Sequence, residues 1–345
     1  MEYRKLPDTD LSVSKICLGT MTWGKQNTIS DGFEQIGYAL NQGVNFWDTA
    51  ELYPVPSESN TQGQTEEIIG EWFKKNGKRE DIILASKIAG PGDYTSHIRK
   101  NISYNKRNID KAINDSLRRL RTDYIDLYQL HWPERVTNTF GKRGFTYSYN
   151  DPWIENFESV LDILKSHIKS GKIRHIGLSN ENPWGLMKFI QASKLNRPKM
   201  ITIQNPYSLL CREFESGNAE ICHRENIGLL AYSPLGFGVL SGKYLDRKMP
   251  KGSRLHLFPS FRRYNSQKCS EATKLYYNLA KEIGLSLAEL SLSFVNERSF
   301  VTSTIIGATS LNQLKENIGS NKIKLSMDVL NEIDRIHSLI PNPAV

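Results

Sequence analysis

Cysteine is scarce in this 345-residue chain, and the four present, Cys17, Cys211, Cys222 and Cys269, lie far apart. That number and spacing exclude a disulfide scaffold and the close pairs of zinc or redox motifs. Long apolar runs are missing too, and nothing approaches the roughly 18 residues of a membrane helix. The start, Met1-Glu2-Tyr3-Arg4-Lys5-Leu6, has no apolar signal core, so a cytoplasmic protein is expected. The seven histidines, His97, His131, His167, His175, His223, His256 and His337, include no pair spaced two or four apart, so no metal is expected. Charge of one sign is not concentrated. The net charge of +8 suits an anionic ligand, but the basic residues are spread along the chain. The clusters Arg118-Arg119-Leu120-Arg121 and Arg262-Arg263 read as solvated faces, and no nucleic-acid partner is expected. Repeats, low-complexity tracts and heptad seams are likewise absent.

What is there is an alternation. Eight short β-rich apolar runs are separated by helical stretches: Ile16 to Gly19, Val44 to Asp48, Ile82 to Ser86, Tyr124 to Leu130, Ile173 to Leu178, Ile201 to Gln204, Gly228 to Tyr232 and Ser303 to Gly307. Several are apolar without alternating, as parallel strands buried on both faces require. Ile109, Ala112, Ile113, Ser116, Leu117 and Leu120 share one helix face, and so do Phe157, Val160, Leu161, Leu164 and Ile168. Gly43 and Gly171 follow such helices as left-handed caps, and Thr65 is expected as an N-cap before Glu66 and Glu67. A doubly wound sheet would carry a glycine fingerprint after its first strand. Gly19-Thr20-Met21-Thr22-Trp23-Gly24 does not supply one, and a P-loop is also missing. The pattern predicts an α/β fold: a single (β/α)8 TIM-barrel domain over residues 1–345, with a short N-terminal β-hairpin in Met1 to Ser14. Three connections, about Tyr53 to Gln64, Trp132 to Asn156 and Gly242 to Lys268, follow strands and are unusually long. They belong on the C-terminal face, where such barrels place their sites. The second is rich in aromatics: Trp132, Phe140, Phe145, Tyr147, Tyr149 and Trp153.

Polar residues stand where buried strands end. Asp48 ends the second run, Lys87 the third and His131 the fourth, and Tyr53 lies five residues beyond Asp48. Each alone has a structural explanation, as a cap, a solvated strand end or a satisfied edge histidine. On successive strands of one barrel face they form a candidate site. The chemistry they suit is carbonyl reduction. A phenol titrates near pH 10, a neighbouring ammonium favours its phenolate, Asp48 can anchor that ammonium, and His131 can orient a carbonyl oxygen.

These residues sit in segments that resemble the aldo-keto reductases. The run Gly43-Val44-Asn45-Phe46-Trp47-Asp48-Thr49-Ala50-Glu51-Leu52-Tyr53 resembles the family signature. So do Ala85-Ser86-Lys87, Asp126-Leu127-Tyr128-Gln129-Leu130-His131-Trp132, Gly171 to Asn180, Tyr232-Ser233-Pro234-Leu235-Gly236 and Ile306-Gly307-Ala308-Thr309. The matches are in order and cover nearly the whole chain. Tyr53-Pro54-Val55-Pro56, His131-Trp132-Pro133 and Gln204 to Leu210 resemble the bacterial Tas-type members in particular. The resemblance implies an NADP(H)-dependent oxidoreductase that reduces aldehyde or ketone carbonyls, with the catalytic tetrad Asp48, Tyr53, Lys87 and His131. It implies that Ser179, Asn180 and Gln204 hold the nicotinamide carboxamide, that Tyr232 stacks on the ring, and that Gly19, Thr20, Met21 and Trp23, with Asp48, line the same end. It also implies a pyrophosphate loop made by Ser233, Pro234, Leu235, Gly236, Phe237, Gly238, Val239, Leu240, Ser241, Gly242 and Lys243. Gly307, Thr309, Gln313, Glu316 and Asn317 match the adenosine end. Read from spacing alone, Gln313, Glu316 and Asn317 share a helix face that could simply be wet. Many relatives place a base where Thr309 stands, so Arg254 is the candidate for the 2′-phosphate. Some relatives, the potassium-channel beta subunits, serve as redox-sensing partners instead, and that remains the alternative function. The aromatic connection favours an apolar or aromatic carbonyl substrate.

Overall fold

The computed structural model describes residues 1–146, 150–194 and 196–344. Tyr147 and Tyr149 of the aromatic connection lie outside the described residues. The strands are β1 (Tyr3–Lys5), β2 (Ser12–Ser14), β3 (Ile16–Gly19), β4 (Phe46–Asp48), β5 (Ile83–Ile88), β6 (Ile125–Leu130), β7 (Ile173–Ser179), β8 (Met200–Pro206), β9 (Gly228–Tyr232) and β10 (Val301–Ile306). Strands β3 to β10 close into a parallel barrel in the order β10-β3-β4-β5-β6-β7-β8-β9. The α-helices are α1 (Ile29–Asn41), α2 (Gln64–Asn76), α3 (Lys106–Leu120), α4 (Phe157–Lys169), α5 (Pro183–Ser193), α6 (Asn218–Arg224), α7 (Arg254–Leu257), α8 (Gln267–Glu282), α9 (Leu287–Asn296), α10 (Leu311–Gly319) and α11 (Met327–Leu339).

The unalternating sequences of β5 and β6 have their physical reason here: every residue of both strands is buried, with barrel core on one side and helices on the other. The outer layer of core is apolar, built from barrel residues such as Trp47, Leu84 and Tyr128 against Ile68 of α2, Ile109 of α3 and Leu161 of α4. Local chemistry sets the helix ends. Thr28 and Asp31 form a capping box on α1, and Ser286 and Glu289 form one on α9. Gly43 and Gly171 take φ of 81° and 74°, the left-handed turn that returns the chain from helix to strand. Thr65 is not the N-cap of α2. That position is Gly63, and the Thr65 hydroxyl donates to the Trp23 carbonyl at 2.8 Å, tying the helix to the connection after β3. Arg119 is not on a solvated face either, since it lies mostly buried in an ion pair with Glu66.

The hairpin β1–β2 sits beneath the barrel. Its Leu6 and Val13 are fully buried against Cys17, Phe46, Ile83, Leu127 and Leu230, so apolar side chains seal the floor. The open end is the other one, where the strands' C-terminal ends meet the long connections.

Candidate active site

Lys87 leaves β5 into the barrel with no exposure to solvent. An ammonium has three donors and no acceptor, and all three are committed. Nζ donates to Asp48 Oδ2 at 2.7 Å, to the Thr49 carbonyl at 2.8 Å and to the Tyr53 hydroxyl at 3.4 Å. Asp48 ends β4. Its second oxygen, Oδ1, accepts from Gln204 Nε2 at 2.8 Å and from Gln129 Nε2 at 3.3 Å. A buried carboxylate is costly unless paired and bonded on every side, and Asp48 is. His131 follows β6, with its backbone N–H donating to the Ile88 carbonyl at 3.1 Å. Its ring stands edge-on to Tyr53, centroids 5.8 Å apart. The four side chains that the sequence spread over 84 positions are thus one cluster at the barrel mouth.

The electrostatics give each group a protonation state. Burial would lower the Lys87 pKa, but Asp48 and Tyr53 outweigh it and hold the ammonium charged, above its ordinary range. Burial raises the Tyr53 phenol above its usual value, and the charge of Lys87 offsets only part of the rise. The sequence predicts that Lys87 favours phenolate. It does, but burial is the larger effect, and the phenol keeps its proton at neutral pH. Burial and then the charge of Lys87 hold His131 well below its ordinary range, so its imidazole is neutral. Its Nδ1 is buried with no hydrogen-bond partner among the described residues.

Above the cluster opens a cleft of about 1490 Å³. Usual small-molecule sites hold roughly 300–1,000 Å³, so this one has room for two ligands together. Asp48, Tyr53 and His131 line it, and Lys87 stays behind them.

Comparison with known proteins decides the lineage. The sequence model of the Aldo/keto reductase family matches residues 15–338. The chain belongs to that family. It is 46% identical to Protein tas of Escherichia coli over all of both chains. It is 33% identical to the uncharacterized oxidoreductase YrpG of Bacillus subtilis, over 99% of this chain and 97% of that one. It is 29% identical to the aldo-keto reductase yakc [NADP(+)] of Schizosaccharomyces pombe, over 86% of this chain and 79% of that one. This aldo-keto reductase is therefore an oxidoreductase by lineage, and of the Tas type.

The structure brings most of the other expected site residues to the cleft wall. Gly19, Thr20 and Met21 line it next to Asp48, and the Thr20 hydroxyl donates to the Asp48 carbonyl at 2.8 Å. Ser179, Asn180, Gln204 and Tyr232 line it as one bonded group. Ser179 Oγ donates to the Gln204 carbonyl at 2.9 Å, Asn180 Nδ2 to the His131 carbonyl at 2.9 Å, and the Tyr232 hydroxyl to Asn180 Oδ1 at 2.6 Å. Ser233, Pro234, Leu235, Phe237, Gly238, Ser241, Lys243 and Arg254 form the next stretch of wall, and Gly307, Thr309, Gln313, Glu316 and Asn317 the far end. Gln313 and Asn317 are more than a wet face. Gln313 Oε1 accepts from the Thr309 N–H at 3.0 Å, and Asn317 Nδ2 donates to the Gly307 carbonyl at 3.2 Å, so they shape the loop between β10 and α10.

Five of the expected cofactor residues do not line the cleft. Trp23 is fully buried in the outer core, where its indole N–H donates to Gln35 at 3.0 Å. Val239 and Leu240 point into the same core, and Gly236 and Gly242 serve the backbone turn, both with positive φ. One run of residues supplies both wall and foundation because the chain there is a tight series of turns, left-handed at Phe237 and Gly238. In the opposite sense, Arg263 is half-buried in the cleft wall rather than on a solvated face, and it donates to the Tyr232 hydroxyl at 3.3 Å, while its neighbour Arg262 is exposed, as expected, at the cleft rim. Sequence reasoning also passed over Gln129, Tyr94 and Arg143. The polar Gln129 inside a fully buried strand was the one available signal among them.

Proposed function

We propose that this protein is an NADP(H)-dependent reductase of aldehyde or ketone carbonyls, in which Tyr53 gives the proton. The reading treats residues 1–345 as one working unit in the cytoplasm. The observation that carries it is the saturated ammonium of Lys87. With its bonds to Asp48 and Thr49 fixed, its third bond goes to the Tyr53 oxygen, so the phenol's own proton is left for the cleft.

The residues present fit the cofactor. Lys243 and Arg254 are both partly buried in the cleft wall. Burial lowers the pKa of each, and neither has a carboxylate within ion-pair distance among the described residues. Two uncompensated cations in a cleft want an anion, and a dinucleotide with a pyrophosphate and a 2′-phosphate supplies it. The Schizosaccharomyces pombe relative carries NADP(+) in its name. Lys243 would face the pyrophosphate, Arg254 the 2′-phosphate, and Ser179, Asn180, Gln204 and Tyr232 the nicotinamide.

When bound, the reduced nicotinamide supplies a hydride to the carbonyl carbon. The neutral His131 imidazole orients the carbonyl oxygen, and Tyr53 delivers its proton to that oxygen as negative charge grows there. Lys87 stabilises the phenolate left behind, and Asp48 balances Lys87 throughout. Tyr94, Trp132 and Phe140 form an aromatic wall beside His131, with Trp132 centroids 5.5 Å from Tyr94 and 5.7 Å from Phe140. This wall supports an apolar or aromatic carbonyl.

The purified protein is expected to consume NADPH with 4-nitrobenzaldehyde, followed by loss of the reduced nicotinamide's absorbance. The pH profile carries a sign. A proton donor with a raised pKa keeps its proton through neutrality, so reduction should hold steady there and fall only as the medium becomes alkaline enough to ionise Tyr53. Tight NADPH binding with no turnover on any carbonyl would sink the reading and favour a cofactor-sensing partner. In a second test, Arg254→Ala is expected to weaken NADPH about 10- to 100-fold, the value of a charged hydrogen bond, and to leave NADH nearly untouched. Equal losses for both cofactors would remove Arg254 from the 2′-phosphate.

A further inference from the structure

Beneath the cleft lies a buried ion pair that the reaction does not use. Glu51 and Arg99 are almost wholly buried, and neither lines the cleft. Arg99 holds the carboxylate with both arms of its guanidinium, Nη1 to Oε2 at 2.5 Å and Nη2 to Oε1 at 2.7 Å. Buried ion pairs are weak devices for stability, because desolvation consumes most of their attraction. The location of this one points to another use.

Glu51 stands three residues after Asp48 and two before Tyr53. Its backbone N–H donates to the Lys87 carbonyl at 3.2 Å, and its Oε1 accepts from the Ala89 N–H at 2.7 Å. The turn that presents Tyr53 is therefore stitched to the end of β5, at the Lys87 carbonyl and at Ala89 just beyond the strand. Gln62 Nε2 donates to the Glu51 carbonyl at 2.5 Å, and the Gly63 N–H donates to the Tyr53 carbonyl at 2.9 Å, which holds the far side of the same turn. Arg99 comes from the connection between β5 and α3, and its fork fixes the Glu51 side chain, which reaches from the turn to the Ala89 N–H just past β5. The bond served by this framework is the long one, Lys87 Nζ to the Tyr53 hydroxyl at 3.4 Å. A small retreat of the turn would break it, and misplacement by about 1 Å can cost on the order of 100-fold in rate.

We propose that Glu51 and Arg99 are positioning residues that keep the Tyr53 hydroxyl within reach of the Lys87 ammonium. The proposal rests on the reading of Tyr53 as the proton donor. The ionisable groups that face Tyr53 are Lys87, Asp48, His131, Tyr232 and Arg254. Those around the pair are Glu66, Arg119, Asp115, Tyr104 and Tyr128.

The test is the double variant Glu51→Gln with Arg99→Gln, which leaves net charge unchanged and so cancels a simple field effect on Tyr53. Two readouts are taken on the full chain. The first is kcat set against NADPH affinity. The second is the titration of Tyr53 by carbon NMR of ζ-labelled tyrosine, its signal assigned as the one missing in Tyr53→Phe. The expected result is a loss of kcat of about tenfold or more, unchanged NADPH affinity, and a Tyr53 titration moved to higher pH as the phenolate loses Lys87. A folded double variant with wild-type kcat and wild-type Tyr53 titration would overturn the proposal. So would losses of kcat and NADPH affinity in equal measure, which mark general loosening. If the double variant does not fold, Glu51→Gln alone, which keeps an acceptor for the Ala89 N–H, is read by the same criteria. The titration needs no turnover. If the wild type reduces no carbonyl, the proposed reaction falls, and the Tyr53 titration still judges the brace.

Discussion

Replacing Tyr53 by phenylalanine is expected to lower kcat for carbonyl reduction by about 100- to 10,000-fold, the usual contribution of a positioned acid, with NADPH affinity unchanged. The change removes one oxygen. That oxygen accepts the third bond of Lys87, and its proton serves only as the carbonyl oxygen gains charge. An interaction made chiefly in the transition state appears in kcat and not in ground-state binding. Steady-state kinetics beside a fluorescence titration with NADPH will check it. A near-normal kcat would remove Tyr53 as the acid, and a parallel loss of cofactor affinity would make it a binding residue instead.

The second large effect falls on stability as well as rate. Lys87→Met leaves Asp48 as an uncompensated buried carboxylate, since the two side chains are 0% and 3% exposed. Breaking such a pair from one side costs about 3–5 kcal/mol, a large share of the roughly 5–15 kcal/mol that holds a domain folded. Denaturant unfolding should show that loss. What survives folded should reduce carbonyls far more slowly, with its alkaline limb displaced because phenolate no longer has a cation beside it. Removing both charges, with Asp48→Asn added, should recover part of the stability and none of the rate. Stability unchanged in the single variant would mean that Asp48 finds compensation from Gln204 and Gln129 alone.

The barrel was legible because buried parallel strands leave a plain trace. β5 and β6 are mostly apolar and buried on both faces, and each is followed by a helix with one apolar stripe, so the eightfold alternation stands out in the sequence. The cluster of Asp48, Tyr53, Lys87 and His131 was legible for the complementary reason, since polar residues at or near the ends of successive buried strands meet on one barrel face, although each alone has a structural explanation. The order of alternatives within one loop was not legible. Whether Leu235 or Leu240 faces the cleft depends on turns in which Gly236, Phe237 and Gly238 all have positive φ, and no periodicity survives there. Arg263 was read as solvated because charge clusters usually are, whereas its contact with Tyr232 joins residues 31 positions apart. The pairing of Glu51 with Arg99 lies equally beyond pattern, because Glu51 sits in a turn and Arg99 in an irregular connection. The sign of the Tyr53 shift needed the structure for another reason. Sequence names the neighbour, but only packing says how much water the phenol has lost.

The hairpin under the barrel has a consequence for traffic. With Leu6 and Val13 closing the floor, the cleft opens, among the described residues, at the strands' C-terminal ends. In the proposed reaction two molecules would share that door, and the one seated deeper would arrive first and depart last. For that reaction a sealed floor would turn the order of binding from a matter of affinity into a matter of queueing. Turnover would then be paced by whichever guest is slowest to clear the doorway.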